Sequence, residues 1–92
     1  MRILREMNAY KRDLKRIKKS GSCSLDDILS IIVLLLHDSS LPEHLRDHSL
    51  SGPYGKFKAR ECHLKPDLLL IYAKPENELH LLRIGSHSEL FG

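Results

Sequence analysis

One stretch of the chain, residues 60–72, constrains the fold more than any other. It contains a Pro-Asp pair, which is frequent in turns, followed by an apolar run at residues 68–72 that is typical of a buried strand. The stretch therefore predicts a β-hairpin whose second arm enters the core. His63 ends the first arm and Asp67 begins the second, so we expect two titratable side chains at the mouth of this hairpin.

Two helices are predicted ahead of the hairpin. Apolar residues at helical spacing lie between Asn8, the expected N-cap, and Gly21, the expected C-cap. The other faces of this first helix carry the basic residues Lys11, Arg12, Lys15, Arg16, Lys18 and Lys19. They form either a solvated face or a surface for phosphates or an acidic partner. Ser24 and Asp27 resemble a capping pair ahead of the apolar segment 28–36, which predicts a second and more deeply buried helix.

The connection that follows, residues 37–55, is long for so small a chain, and such connections are often functional. A short helix is expected at residues 41–46, with Pro42 in its first turn. The connection also carries His44 and His48.

From Lys56 onward the polarity alternates with a period of two, which predicts strands. The apolar strand at 68–72 is followed by a turn and a last strand at 79–84, so an antiparallel meander is expected. A short strand at residues 3–4 is expected to precede the helices. This order predicts an α+β fold, with an N-terminal strand and a helical hairpin packed on an antiparallel β-sheet, as one domain over residues 1–92.

The composition excludes several classes of protein. With 92 residues, 41% of them hydrophobic and 29% charged, the chain suits a folded domain and not a disordered one. Cys23 and Cys62 form no CxxC pair and no disulfide framework. No signal-like or membrane-length apolar segment is visible, so we expect a soluble cytoplasmic protein. The net charge of +3 only hints at a polyanionic partner.

The polar residues of the strands suggest RNA cleavage. If the chain stays extended after the last strand, Arg83 and His87 share a face and lie beside the hairpin of His63 and Asp67. Attack by an RNA 2′-hydroxyl needs a base, an acid and a cation that holds the phosphate. Histidine, aspartate and arginine can fill these roles. No metal or other cofactor is required for this reaction, and none is expected.

Each of these residues also has a structural interpretation. Asp67 after a proline can be only a turn residue, Arg83 can form a structural ion pair, and Phe91 can be a terminal core residue. A zinc site is a further alternative, because the chain has six histidines together with Cys62, and His44 and His48 lie at helical spacing, but the absence of a cysteine pair disfavours it.

Four segments, taken together, carry a resemblance to a known family. They are Arg-Asp-His-Ser-Leu-Ser-Gly at 46–52, Glu-Cys-His-Leu-Lys-Pro-Asp at 61–67, the apolar strand ending in Tyr72, and Arg-Ile-Gly-Ser-His-Ser-Glu-Leu-Phe at 83–91. In this order and at these spacings, the chain resembles the YafQ branch of the RelE/ParE toxin superfamily over essentially its whole length. Two positions depart from the family pattern: Leu68 stands where tryptophan is frequent, and Ser49 where proline is common.

The resemblance implies a RelE-like fold and a toxin of a type II toxin–antitoxin system. Such a toxin is an mRNA endoribonuclease, with or without the ribosome, and is neutralised by a cognate antitoxin; the free toxin is expected to be a monomer. The catalytic positions that the resemblance implies are His48, His63, Asp67 and His87. The implied substrate contacts are Arg83, Phe91, Lys11, Lys15 and Lys18. His87 is the expected general acid, and Asp67 is the general base or the residue that orients a histidine.

A different class of function is compatible with the same fold. A non-enzymatic toxin of the ParE branch, or an RNA-binding module, would act by binding alone. The set of histidines with Asp67 favours the nuclease, because a pure binding protein does not need these titratable groups.

Overall fold

A computed structural model describes all 92 residues except the side chains of Pro53, Lys56 and Phe57. The expected α+β fold is confirmed. The elements in chain order are β1 (Ile3–Glu6), α1 (Asn8–Ser20), α2 (Leu25–Leu36), β2 (His48–Ser49), β3 (Arg60–Lys65), β4 (Leu68–Ala73), β5 (Glu78–Gly85) and α3 (His87–Phe91), with 3₁₀ turns at Glu43–Leu45 and Gly52–Phe57.

The five strands form one sheet in the order β1-β5-β4-β3-β2. The predicted meander β3-β4-β5 is antiparallel, whereas β1 returns beside β5 in parallel. Every residue of β4 is buried, because both faces of this strand are covered. Leu70 and Tyr72 lie in the core shared with α1 and α2, while Leu69 and Ile71 pack with Leu90 on the opposite face. The unbroken apolar run of β4 follows from its two buried faces.

The two predicted helices are present, with one correction at the start of α1. Ser24 Oγ accepts the Asp27 N–H at 3.2 Å and Gly21 ends α1 with a φ of 67°, both as expected. The N-cap of α1 is Met7 and not Asn8, and no side chain caps this end. The Met7 N–H donates to Leu81 O at 3.0 Å, so Met7 still belongs to the β1–β5 pairing and the helix begins directly after it. No described helix has both the length and the apolar composition that crossing a membrane requires.

The strand predicted from Lys56 begins later, at Arg60, because a 3₁₀ turn occupies Gly52–Phe57 and Lys58 adopts a left-handed φ of 54°. The short helix expected at 41–46 is a single 3₁₀ turn at Glu43–Leu45, with Pro42 as its N-cap. Between these turns, β2 pairs with β3 and brings His48 opposite Glu61. This two-residue strand was not predicted.

The chain does not stay extended after Gly85, so the condition under which Arg83 and His87 would share a face is not met. Ser86 is instead the N-cap of α3, and a reciprocal capping box joins Ser86 to Glu89. The signal was present in the sequence, since Ser-x-x-Glu at residues 86–89 is the pattern of such a box. His87 therefore reaches the hairpin from the first turn of a helix.

Candidate active site

Three histidines from three separate elements form a row along one edge of the sheet. His48 lies in β2, His63 in β3 and His87 at the start of α3. The ring centroids of His48 and His63 are 6.1 Å apart, and those of His63 and His87 are 5.8 Å apart. His63 pairs with Leu69, which faces away from α1 and α2, so His63 lies on the sheet face opposite these helices.

Asp67, in the turn between β3 and β4, holds His87 at two points. Asp67 Oδ1 accepts the backbone N–H of His87 at 3.0 Å and lies 2.8 Å from His87 Nδ1. These bonds from the backbone and then the side chain of His87 hold the pKa of Asp67 below its usual value, so the carboxylate is ionised. An ionised Asp67 accepts a proton-bearing Nδ1, which leaves Nε2 as the ring nitrogen of His87 free for another group.

Glu61 is a component of the site that sequence reasoning missed. Its Oε2 lies 3.0 Å from His48 Nε2, and its Oε1 lies 4.0 Å from His63 Nε2. The residue is 5% exposed, and Oε1 has no hydrogen-bond partner among the described residues. The available signal was the alternation of β3, which puts residues two apart, Glu61 and His63, on the same face.

His48 is fixed from both sides of its ring. Its Nδ1 lies 2.8 Å from the carbonyl oxygen of Arg46, so Nδ1 carries a proton in this bond. Its Nε2 lies against Glu61 Oε2, so both ring nitrogens have a partner.

A polar network anchors the segment that carries His48. The neighbouring Asp47 accepts from Arg60 Nη2 at 2.9 Å and Nε at 3.1 Å, and it also accepts the Tyr72 hydroxyl. Burial, followed by the bond to Asp47, raises the pKa of Tyr72, so its hydroxyl stays protonated and donates. β2 is thereby tied to β3 and β4 beside His48.

Arg83 lies in an ion pair. Its Nε donates to Asp13 Oδ2 at 2.6 Å and its Nη2 donates to Asp13 Oδ1 at 3.1 Å. This is the structural interpretation that the sequence left open for Arg83. Its predicted contact with substrate is not tested by this geometry, because the guanidinium side chain keeps 27% exposure.

The remaining predicted substrate contacts are Phe91 in α3 and three lysines on α1. Phe91 is 49% exposed, and its ring meets the edge of Tyr54 with centroids 6.1 Å apart. Lys11, Lys15 and Lys18 are exposed on α1. Lys18 lies beside a groove of about 190 Å³ between α1 and α2, on whose walls are Leu14 and Leu29.

Three side chains of the site can also hold a metal ion. One ligand atom each from His48, Glu61 and His63 lies within 4.8 Å of the others. The pair that the sequence suggested for zinc was different, because it combined His48 with His44. Cys62 is fully buried in the core beneath the helices, and burial raises the pKa of its thiol to about 12.

Comparison with known proteins identifies the family. A family model described as "Bacterial toxin of type II toxin-antitoxin system, YafQ" matches residues 2–92. The chain is 31% identical to the mRNA interferase toxin YafQ of Escherichia coli K12 over 84 residues, which are 90% of this chain and 88% of that protein.

Two solved structures share the fold closely. The metal-bound toxin from Helicobacter pylori has a TM-score of 0.91 and 40% identity, with 99% of this chain and 100% of that chain covered. YafQ in the E. coli DinJ–YafQ complex has a TM-score of 0.88 and 28% identity, with 100% of both chains covered. The chain therefore belongs to the YafQ family of bacterial toxins of type II toxin–antitoxin systems.

Proposed function

We propose that this toxin is an endoribonuclease that cleaves mRNA by metal-independent acid–base catalysis. The observation that carries the proposal is the row of three imidazoles with a carboxylate at each end, Glu61 beside His48 and Asp67 beside His87. Imidazoles can donate or accept protons near neutral pH. The name of the E. coli relative, an mRNA interferase, supports the same reaction.

In the proposed reaction the 2′ oxygen of the RNA attacks the neighbouring phosphorus, and the bond from phosphorus to the 5′ oxygen breaks. A base removes the 2′ proton, and an acid protonates the leaving 5′ oxygen, so the products are a 2′,3′-cyclic phosphate and a 5′-hydroxyl. His87 is the proposed general acid, acting through Nε2. The bond from Nδ1 to Asp67 supports a role for Asp67 in orienting this ring.

His48 and His63 are proposed to stabilise or protonate the phosphate as negative charge develops on its oxygens. Glu61 supports this role, because its carboxylate lies 3.0 Å from His48 Nε2 and 4.0 Å from His63 Nε2 and so helps to hold the two rings next to each other. Arg83 is proposed to assist as a phosphate contact. Its guanidinium fork already holds the Asp13 carboxylate, so a phosphate contact would use the exposed part of the side chain.

Substrate binding is proposed to use an aromatic face and a basic helix. Phe91 exposes half of its side chain and can stack on a base. Lys11, Lys15 and Lys18 are proposed to contact the phosphates of mRNA or of ribosomal RNA. If they do, replacing any one of them with alanine reduces the slope of log binding constant against log salt concentration by about 1.

Replacing His87 with alanine tests the catalytic proposal. Wild-type protein is expected to arrest growth and to create new RNA 5′ ends, and His87→Ala is expected to do neither. His80→Ala is the matched control, because His80 lies in β5 and pairs with Glu78 at 2.7 Å, away from the histidine row. Undiminished cleavage by His87→Ala would remove the acid–base proposal. Growth arrest by wild-type protein without RNA cleavage would instead favour a toxin that acts by binding alone.

The proposed protein partner is a cognate antitoxin. The E. coli relative has been solved with DinJ, and this chain exposes the apolar side chains of Leu25, Leu29 and Val33 on α2. Co-expression of the adjacent open reading frame is expected to restore growth and to co-purify with the toxin. If no protein from a neighbouring reading frame restores growth and co-purifies with the toxin, this part of the proposal is contradicted.

A second candidate function, binding of a divalent metal ion, is favoured by the cluster of His48, Glu61 and His63. The Helicobacter pylori relative is described as metal-bound. Calorimetric titration with Zn²⁺ or Ni²⁺ is expected to show one ion per chain, with affinity at least about 10-fold weaker in Glu61→Gln. Unchanged affinity in that variant contradicts the site. Because the proposed cleavage uses no metal, EDTA is expected to leave the rate undiminished.

A further inference from the structure

Helix α3 carries His87 but spans only His87–Phe91. A helix this short is unstable in isolation, because its few hydrogen bonds do not offset the entropy lost in forming the first turn. We propose that Arg16 and Glu89 form a clasp that positions α3, and through it His87, for catalysis. Arg16 and Glu89 are thus positioning residues, and the proposal rests on the function proposed above.

Glu89 is placed to perform two tasks at once. Its Oε1 accepts the Ser86 backbone N–H at 2.8 Å and closes the capping box, in which the Glu89 N–H donates to Ser86 Oγ at 3.2 Å. Its Oε2 lies 2.7 Å from Arg16 Nε. The carboxylate that caps α3 is therefore the same one that binds α1.

The other end of the clasp is attached to the core. Arg16 Nη2 lies 3.3 Å from Oδ1 of Asp13, a residue that is 2% exposed. Asp13 in turn accepts from Arg83 and from the Ile84 backbone N–H at 3.1 Å. Arg16 thus connects the junction of α1 and β5 to the terminal helix α3.

Gly85 provides the space for the clasp. A Cβ at this position would lie 3.0 Å from Glu89 Oε1, 3.2 Å from Arg16 Nη2 and 3.2 Å from Leu90 Cδ2. Real Cβ atoms rarely approach other atoms this closely. The glycine therefore allows both members of the ion pair and the buried anchor of α3 to pack against the end of β5.

The clasp acts on His87 through the backbone of the helix. His87 directly follows the capped Ser86, and both its backbone N–H and its ring bond to Asp67. Displacing the first turn of α3 would move both of these bonds together. A displacement of about 1 Å in a catalytic group can lower a rate 10²-fold. The clasp is expected to have little effect on the free energy of unfolding. Arg16 and Glu89 are 44% and 39% exposed, and exposed ion pairs contribute little to stability.

The kinetic test is a double-mutant cycle on RNA cleavage. Arg16→Ala and Glu89→Gln are each expected to lower kcat roughly 10-fold and to change KM less than about 3-fold. Glu89→Gln retains an acceptor for the Ser86 N–H while it removes the ion pair. The double variant is expected to be no slower than either single variant, because both remove the same interaction. Additive losses would overturn the clasp, as would an increase of kcat in Glu89→Gln.

Two further variants separate position from charge. Arg12→Ala removes the same charge from an exposed position of α1. A decrease of kcat that both Arg12→Ala and Arg16→Ala show is therefore due to the reduced positive charge of α1 and not to the clasp. Gly85→Ala preserves both charges and displaces the clasp by crowding, so it is expected to lower kcat as well. If Arg12→Ala and Arg16→Ala are equally slow, the positioning role is wrong.

Amide hydrogen exchange provides a readout that does not depend on cleavage. Arg16→Ala and Gly85→Ala are expected to accelerate exchange of the His87 and Leu90 amides at least about 10-fold, without change in β4. Unchanged protection of α3 in both variants overturns the clasp even if the protein is a nuclease. If the variants lose protection of α3 but the wild-type protein cleaves no RNA, the clasp is supported as a structural feature. In that case only its role in catalysis is overturned.

Discussion

Asp13 and Asp67 are two carboxylates with similar partners and opposite surroundings. Asp13 accepts from Arg83 and the Ile84 N–H, and Asp67 accepts from the ring and N–H of His87. Burial raises the pKa of Asp13, but the bonds from Arg83 and Ile84 outweigh it, so the pKa of Asp13, like that of Asp67, lies below its usual value. The side chain of Asp13 is 3% exposed, whereas that of Asp67 is 68% exposed.

The two carboxylates differ in their surroundings, because Asp13 is enclosed between α1 and β5 whereas Asp67 lies at the surface. The oxygens of Asp13 are occupied by partners that join α1 to β5, where RNA cannot reach them. Asp67 is open to solvent, and its partner, His87, keeps one ring nitrogen free. The lowered pKa is common to both carboxylates, and their burial is what distinguishes them.

The largest expected effect on the free energy of unfolding comes from Asp13→Ala. Removing one member of a buried ion pair leaves an uncompensated charge and costs about 3–5 kcal/mol. Because the side chain of Arg83 keeps 27% exposure, we expect a value near the lower end. Urea unfolding measures the change. If the free energy of unfolding falls by less than about 1 kcal/mol, Arg83 finds water or another partner in the variant. Asp13 would then not differ from Asp67 in its contribution to stability.

Asp67→Asn is expected to act on the reaction and not on folding. The rate of RNA cleavage should fall on the order of 10²-fold, because the amide holds the His87 ring less firmly and in the wrong tautomer. Single-turnover cleavage measures the rate, and the melting temperature is the control. A melting temperature that falls as far as that of Asp13→Ala would show that both carboxylates are structural.

The two sites also predict different responses to acid. The lowered pKa of Asp13 contributes stability that is fully present above the unfolded pKa of about 3.9. This contribution is lost as the pH falls through the lower folded pKa. The stability difference between wild type and Asp13→Ala should therefore narrow as the pH falls below about 4, as measured by urea unfolding. A difference that is constant over this window contradicts the lowered pKa.

Because the pKa of Asp67 is also lowered, its carboxylate is ionised above about pH 4. Any change of cleavage rate with pH above about 5 therefore arises from other groups. Asp67→Asn should therefore retain the pH dependence of the cleavage rate while its absolute rate falls. If the pH dependence disappears in this variant, it arises from Asp67 instead.

The smallest effect is expected from Asp38, a third carboxylate with a lowered pKa. Hydrogen bonds from Arg2 and then Lys74 lower the pKa of Asp38 to about 2, but its side chain is 55% exposed and these two partners are not part of the histidine row. Asp38→Asn should change neither the melting temperature nor the cleavage rate beyond error, since exposed pairs contribute little. A clear effect on either would show that a lowered pKa predicts importance independently of burial and partner.

Local patterns in the sequence predicted most of the secondary structure. The capping residues Ser24 and Gly21 and the apolar strand β4 lie where the patterns placed them, because such signals act between residues a few positions apart. The errors arose where a neighbouring element imposed its own geometry. Met7 is held by β5, so α1 starts without a side-chain cap. At the other end of the chain, the capping box of α3 was present as a pattern and was overlooked.

The candidate site was predicted only in part. The histidines and Asp67 were named from a resemblance and from the hairpin, and the structure brings His48, His63 and His87 into one row. Glu61 was missed because its partner lies in β2, a two-residue strand with no signal of its own. Their catalytic roles are still predictions.

The sequence by itself determined the helices α1 and α2, the meander of β3, β4 and β5, the burial of β4, and which titratable residues flank the hairpin. Periodicity and capping express these properties over a few residues. Only the tertiary structure decided what each charge does. Arg83 meets Asp13 across 70 positions of the chain and His87 meets Asp67 across 20. The energy of such pairs depends on distance and burial in the folded state, which local sequence does not encode.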